Sequence, residues 1–413
     1  MGGLIEGCEP SHYDFFSFAD PPYTMSKQEK YFVDSFVKNG EKFISTSDDD
    51  KVEPVTHPRH KSLQHPIWHY VAKRSNEGTV ALGSKVRYKF PRNGLCKAVF
   101  IHNVFAQTGT ASYEDYIAML AIDKVELKHG SSRIIADYDY KTVMMKEFAD
   151  MEPEAVAHVL SAAGGASITS TGGTYPATAW IPLFFDSLNN PKKPGLNLAD
   201  LDSPELELVI TYRASTDCIA SGATGAAISS SEAQFYMSDT TENVSSDDYV
   251  IPGIYYDTIK DQTIATSTET SVDVSEFTRY NKKLYLFSQP TAQTGTANKQ
   301  FYALSQYDSV KTVIDTQEEI FFEHKRISPL EFVLFNKAVG YSSTFTNPPI
   351  IIPFGDYSDH LEEEDNAGGF SADEANTFKL KLTHSVGANE NLCICSVSNA
   401  LYAVRNGQLY HIS

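Results

Sequence analysis

Four histidines, His57, His60, His65 and His69, crowd one short segment near the start of the chain, and imidazoles at that density invite a metal-site reading. Their spacing matches no zinc pattern, Pro58 and Pro66 interrupt the segment, and no cysteine lies nearby, so a structural or solvated loop is the better reading. Cys393 and Cys395 stand two apart in a strand-like run and so share a face. A redox pair needs two intervening residues, so these read as core positions. The acidic runs Asp48 to Asp50 and Glu362 to Asp365 lack the alternating ligand spacing of a calcium loop and read as solvated acid. Glycine-rich stretches around Gly164 and Gly222 have no following Lys-Ser or Lys-Thr to cradle a phosphate. Neither a GxSxG elbow nor an HExxH motif occurs, and the sequon at Asn243, Val244 and Ser245 has meaning only on a secretory route. The expectation is therefore no catalytic residue, no metal ligand and no cofactor.

Composition narrows the classes further. A chain of 413 residues, 41% hydrophobic and 12% aromatic, can bury a large core in two domains or one compound one. A formal net charge of -19 argues against coating nucleic acid, because phosphate binding needs a positive surface. Five cysteines, Cys8, Cys96, Cys218, Cys393 and Cys395, are odd in number and scattered, which fits a reducing compartment without a disulfide framework. No apolar run reaches the roughly 18 residues of a membrane span, and the N-terminus carries no signal-peptide pattern, so a soluble, cytosolically made chain is expected.

The elements read as strands. In residues 205–213, Leu206, Leu208, Ile210 and Tyr212 alternate with Glu207, Thr211 and Arg213, broken only by Val209, which makes a strand with one buried face. Trp180 to Phe185 is a second apolar strand joined to it by a turn-rich excursion. Alternation from Val80 to Phe90 predicts a long amphipathic strand, and Leu95 to Phe105 its partner after the turn at Pro91 to Gly94. Val125 and Leu127 point inward on a strand, residues 129–132 turn, and Met144, Phe148 and Met151 stack on a helix. The Gly-, Ser- and Thr-rich residues 162–174 read as a loop, and the run at about 214–230 as a surface loop or tower, followed by a closing strand at 234–238. Residues 247–261 cross to the second half. There, short apolar runs at 284–288, 320–324, 330–335, 350–354, 377–384, 392–397 and 401–404, separated by turns, imply a second sandwich, although the halves do not self-align. Residues 1–76 are broken by prolines and read as an arm, with one short helix at 26–38.

Three of these stretches, in order, resemble signatures of the double jelly-roll major capsid proteins of icosahedral DNA viruses, as a distant member. Ile181, Pro182, Leu183, Phe184 and Phe185 sit where that family has its "VPLPFWF" strand, without the second Pro and the Trp. Arg92 and Gly94 match the "R.GDL" turn, with Leu95 in place of the Asp. Val125, Glu126 and Leu127 align with "VEI", Gly130 with the turn that follows, and Ile135, Asp137 and Tyr138 with the "IDxxYG" strand.

The resemblance implies an all-β fold of two consecutive eight-stranded antiparallel jelly-roll barrels, with a short helix, long loops and an irregular N-terminal arm. The arm would be residues 1–76, the first barrel 77–245 and the second 246–413. It implies a major capsid protein, not an enzyme, made in the host cytoplasm and located in the virion. Its partners would be itself as a homotrimer, neighbouring capsomers, minor capsid and penton proteins and an internal viral membrane, with no sequence-specific nucleic-acid binding. A minor capsid or spike jelly-roll protein is the alternative, as is a carbohydrate-binding or carbohydrate-active one. A glycosidase would need two converging carboxylates, and a cupin a histidine motif on paired strands that this sequence lacks.

Overall fold

The structure is a computed structural model that describes residues 69–107, 112–130, 133–164, 173–186, 195–201, 206–221, 226–238, 249–265, 269–290, 308–315, 317–323, 349–354, 369–383 and 390–412. The first unit contains β1 (His69–Ser75), β2 (Lys85–Lys89), β3 (Leu95–Gln107), β4 (Ser112–Tyr113), the single turn α1 (Ile117–Leu120), β5 (Ile122–His129) and β6 (Arg133–Asp139). It continues through α2 (Tyr140–Asp150), α3 (Pro153–Ala162), β7 (Gly173–Ile181), β8 (Leu196–Asn197), β9 (Leu206–Tyr212), α4 (Ser215–Cys218), β10 (Ile219–Ser221) and β11 (Ala226–Ser238). The second contains β12 (Tyr249–Ile264), β13 (Thr270–Asp273), β14 (Asn281–Pro290), β15 (Ser309–Ile314), β16 (Gln317–Glu323), β17 (Ile350–Pro353), β18 (Phe378–Thr383), β19 (Glu390–Arg405) and β20 (Gln408–Ile412).

Every described strand pairing is antiparallel. In the first unit the sheet β1-β11-β3-β7 faces β2-β9-β5-β6; in the second β12-β19-β14-β17 faces β13-β18-β15-β16. Setting aside the short β4, β8, β10 and β20, both units have their strands in the order 1-8-3-6 against 2-7-4-5. That is the connectivity of a jelly roll, in which paired Greek keys wrap into two facing sheets.

Local sequence explains the one-sided strands. In β2, Val86 and Tyr88 are buried between exposed Lys85 and Arg87, and in β18 Phe378, Leu380 and Leu382 are buried while Lys379, Lys381 and Thr383 are not. Strands β14 and β19 lack such alternation because their sheet is buried on both faces. Leu284, Leu286, Leu392 and Ile394 fill the second barrel, while Tyr285, Phe287, Cys393, Cys395 and Val397 join the core of the first. A sheet covered on both sides reads as a continuous apolar run. The tight hairpin between β19 and β20 places Asn406 at φ 48° and Gly407 at φ 71°, the two left-handed positions of a type I′ turn.

The same polar device recurs in both barrels. Asn103 on β3 lies opposite Ser231 on β11, and the Ser231 hydroxyl donates to its side-chain oxygen at 2.6 Å. Tyr212 donates to the same oxygen at 3.0 Å, and Tyr88 bonds both Tyr212 and Ser231, so hydroxyls from one sheet meet an amide on the other. Burial pushes both tyrosines well above their ordinary pKa and keeps them as neutral donors. In the second barrel Asn281 on β14 lies opposite Ser398 on β19, which donates to its side-chain oxygen at 3.2 Å, and the Ser396 hydroxyl donates to the same oxygen. Its amide nitrogen donates to the carbonyls of Phe277, Arg279 and Phe370.

Several expectations shift. The strand expected from Val80 starts at Lys85, because Gly83 at φ 82° and a Ser84 hydroxyl bonded to the Ala81 carbonyl at 2.6 Å make a turn first. The run read as a loop at 214–230 holds α4, β10 and the start of β11. Its small polar residues carry no periodic signal, and pairing with β3 makes Ala226 onward a strand. Residues 69–75, inside the segment read as arm, pair along their length with β11 and belong to the first barrel's sheet. The two runs at 392–397 and 401–404 are one strand, β7 ends at Ile181 with Leu183 to Phe185 buried beyond it, and the pattern reading passed over β13, β15 and β20. The helix at 26–38, the strand at 330–335 and the boundary at 245 lie outside the described residues.

Asn281→Ala would strip partners from buried carbonyls and serine hydroxyls together, and the expected loss is about 2–4 kcal/mol of stability. A urea unfolding curve on the full chain measures it, and an unchanged midpoint would show that Asn281 does not tie the second barrel's sheets.

Candidate functional site: the joint between the barrels

The connection from the fifth to the sixth strand of the first barrel carries α2 and α3, and α2 is wedged against the second barrel. Asp139 caps α2 by accepting the Thr142 amide at 2.9 Å, and every side chain from Tyr140 to Ala149 is buried. Two hydroxyls tie this region to the apolar stretch singled out in the sequence: Tyr140 donates to the Trp180 carbonyl at 2.7 Å and Tyr138 to the Pro182 carbonyl at 2.6 Å. Phe184, from the same stretch, stacks on Tyr402 of β19 with ring centroids 3.6 Å apart. Gly253 on β12 makes room for that stack, since a Cβ there would come within 2.8 Å of the Tyr402 ring and 3.0 Å of Phe184.

A helix buried on all sides cannot hold unpaired charge. Lys146 lies 2.8 Å from Asp150 and 3.3 Å from Glu147, near the faces of Tyr256 and Tyr285 from the second barrel. Tyr256 donates to Glu147 at 2.6 Å and Tyr285 to Asp150 at 2.9 Å, so both barrels contribute to one cluster. Burial opposes the ammonium, but the carboxylates of Asp150 and Glu147 outweigh it and hold Lys146 well above the usual lysine range. One turn earlier Lys141 donates to Gln289 of β14 at 2.6 Å. Around the rim, Lys260 of β12 bridges Asp123 at 2.9 Å and Asp139 at 3.4 Å. Arg133 of β6 reaches Gln408 of β20 at 3.0 Å and lies over Tyr410, and the Leu409 amide donates to His129 at 2.9 Å.

This arrangement does mechanical work: it fixes one barrel on the other through a shared core and paired charges. The flagged chemistry falls elsewhere. His57, His60 and His65, the acidic runs at 48–50 and 362–365, Gly222, Cys8 and the sequon at Asn243 lie outside the described residues, and His69 begins β1 with its backbone paired to Ser238. Gly164 closes the turn after α3. Cys393 and Cys395 are buried in the shared core as free thiols, and burial pushes Cys395 well above the ordinary thiol range, which suits packing and not nucleophilic chemistry. Among the described residues, no three His, Cys, Asp or Glu side chains gather as a metal site. Apolar side chains stand exposed at Tyr70 and Val71 on the edge strand β1, at Ile134 on β6, and at Val250 and Leu401 on β12 and β19. The pattern reading missed the charge cluster, whose one signal was the helix after β6, YKTVMMKEFAD, with charges too frequent for a free apolar face.

Lys146→Met would leave Glu147 and Asp150 as buried carboxylates without their cation, at an expected cost of about 3–5 kcal/mol. Adding Glu147→Gln and Asp150→Asn should recover most of that loss in thermal unfolding. Equal loss in both variants would mean that packing, not charge pairing, sets the role of Lys146.

No protein-family model matches the chain, and no curated protein matches its sequence. Solved structures do match. PBCV-1 VP54, a crystal structure fitted into a cryo-EM reconstruction of the virophage Sputnik, is 14% identical with a TM-score of 0.63 over 84% of this chain and 98% of its own. The Faustovirus major capsid protein is 9% identical with a TM-score of 0.62 over 96% and 98%. The mavirus major capsid protein is 9% identical with a TM-score of 0.52 over 96% of each chain. With two barrels of one strand order and superposition along most of its length, the chain has the double jelly-roll fold seen in viral major capsid proteins.

Proposed function

We propose that this chain is the major capsid protein of an icosahedral virus and that three copies form a pseudo-hexagonal capsomer. The observation that carries the reading is the joint: two barrels of one strand order, held as a unit by α2 and a shared core. A chain with two equivalent barrels offers a repeated outline, so a threefold ring of such chains presents six barrels and can tile edge to edge with its neighbours. The likeness to the Faustovirus and mavirus major capsid proteins along most of the chain supports the same role.

In this reading the chain acts as structure and not as an enzyme, its place is the virion, and its partners are copies of itself, neighbouring capsomers and minor or penton proteins. The first barrel begins with β1 at His69 and the second follows from about residue 246, with the residues before β1 as an arm that contacts the inner layer, a membrane or a minor capsid protein. The exposed apolar side chains of β1, β12 and β19 are candidates for contacts between chains, since interfaces place apolar and aromatic groups at their centre.

Light scattering of the purified chain with negative-stain images of the same peak tests this. The expected mass is three times 45.7 kDa with hexagonal outlines. A stable monomer across concentration, without such particles, would overturn the capsomer reading.

A further inference from the structure

Two histidines hold the last strand, His129 from β5 beside it and His411 within it. His129, at the end of β5, is buried, and its Nδ1 accepts the Leu409 amide of β20 at 2.9 Å. The accepting nitrogen carries no proton, so the proton is on Nε2, which is buried without a hydrogen-bond partner. A second proton would set an N–H against the Leu409 N–H. The charged group facing this ring from β6 is its cross-strand partner Arg133, whose guanidinium also bonds Gln408 and lies over Tyr410, and a cation there opposes an imidazolium. Across the sheet from β9 its partner is the uncharged Leu206.

His411, on β20 itself, stacks on Tyr255 of β12 with centroids 4.6 Å apart and lies 5.2 Å from Tyr402 of β19. Its Nε2 is likewise buried without a hydrogen-bond partner. The Arg279 guanidinium covers the Tyr255 ring at 3.8 Å. Two carboxylates are near this column, and both are already paired with cations: Asp257 binds Arg279 at 2.8 Å through both oxygens, and Asp137 binds Lys124 at 2.8 Å. Burial, with Arg279 adding to it, pulls His411 down to about 4 from 6.5.

We propose that His411, with His129 holding the Leu409 amide beside it, is an acid-sensitive latch, which holds β20 in the joint while the His411 ring is neutral and releases it when that ring takes up a proton. The inference stands apart from the capsid reading, since it rests only on the contacts of β20 with β5 and β6 of the first barrel and with β12 and β19 of the second. Its sign follows from proton linkage. On release His411 regains an ordinary pKa, so the released state binds more protons than the latched one and gains as pH falls. His411 favours release about tenfold per pH unit below about 6.5, a gain that ends near 4.

Hydrogen–deuterium exchange of the full chain, read by mass spectrometry at pH 7 and pH 5 and corrected for intrinsic exchange rates, tests the latch. The peptide covering β20 is expected to lose protection about thirtyfold at pH 5, while β15 and β18, remote from the latch, do not. In the pair His129→Gln and His411→Phe, an amide oxygen still accepts the Leu409 N–H and a ring still stacks on Tyr255, yet neither titrates. Its β20 protection should be equal at both pH values. Unchanged wild-type protection at pH 5, an equal loss in β15 and β18, or the same acid loss in the double variant would each overturn the proposal. Should the variant not fold, the wild-type contrast between β20 and the β15–β18 pair decides alone.

Discussion

The architecture depends on one constraint: the sheet β12-β19-β14-β17 is buried on both of its faces. Its inner face closes the second barrel, and its outer face rests on α2 and on residues at the end of β7. Two-sided burial removes the usual freedom to place polar side chains on alternate positions. Tyr256, Tyr285 and Gln289 therefore present hydroxyls and an amide toward the first barrel, and α2 must answer with Glu147, Asp150 and Lys141. The ammonium of Lys146 then offsets one of the two carboxylate charges, and the hydroxyls of Tyr256 and Tyr285 donate to both carboxylates. Buried charge of this kind contributes less to net stability than to uniqueness of the docked arrangement, because a shifted register would leave an ion without its counter-ion.

The two barrels share an order of strands and a polar tie but not a sequence. In each, an asparagine on the third strand faces a serine on the eighth, Asn103 with Ser231 and Asn281 with Ser398. The surroundings of the two asparagines differ: tyrosines from the opposite sheet complete the first, and backbone carbonyls complete the second. A jelly roll needs alternating apolar positions and turns at set places, and many residue choices satisfy both. Connectivity can therefore repeat where no alignment of the halves is visible.

What could be read from sequence follows the same physics. Strands with one wet face announce themselves, as Leu206 to Tyr212 and Phe378 to Thr383 do, because period-two alternation is a local property. The resemblance of Ile181 to Phe185, Val125 to Leu127 and Arg92 to Gly94 to one capsid family agreed with the fold that emerged. The hidden parts are those whose cause is distant in the chain. β11 begins in a run of small polar residues because β3 pairs with it, and β1 is a strand because β11 pairs with it. The joint is hidden most deeply, since Lys146 and Tyr285 have no sequence relation and meet only once both barrels exist.

The helical wedge also makes the two barrels inequivalent despite their common order. In the first barrel the link from fifth to sixth strand supplies α2 and α3, and α2 packs on β12, β14 and β19 of the second. Phe184 of the first barrel reaches the same sheet by stacking on Tyr402, in the space that Gly253 leaves open. The second barrel's C-terminal strand returns the contact, with β20 packed against β6. Each barrel thus closes over an element of the other, so neither interface face is complete until both have folded. A chain built this way packs two similar lobes through one shared core, so the arrangement of each depends on the other more than on any single side chain.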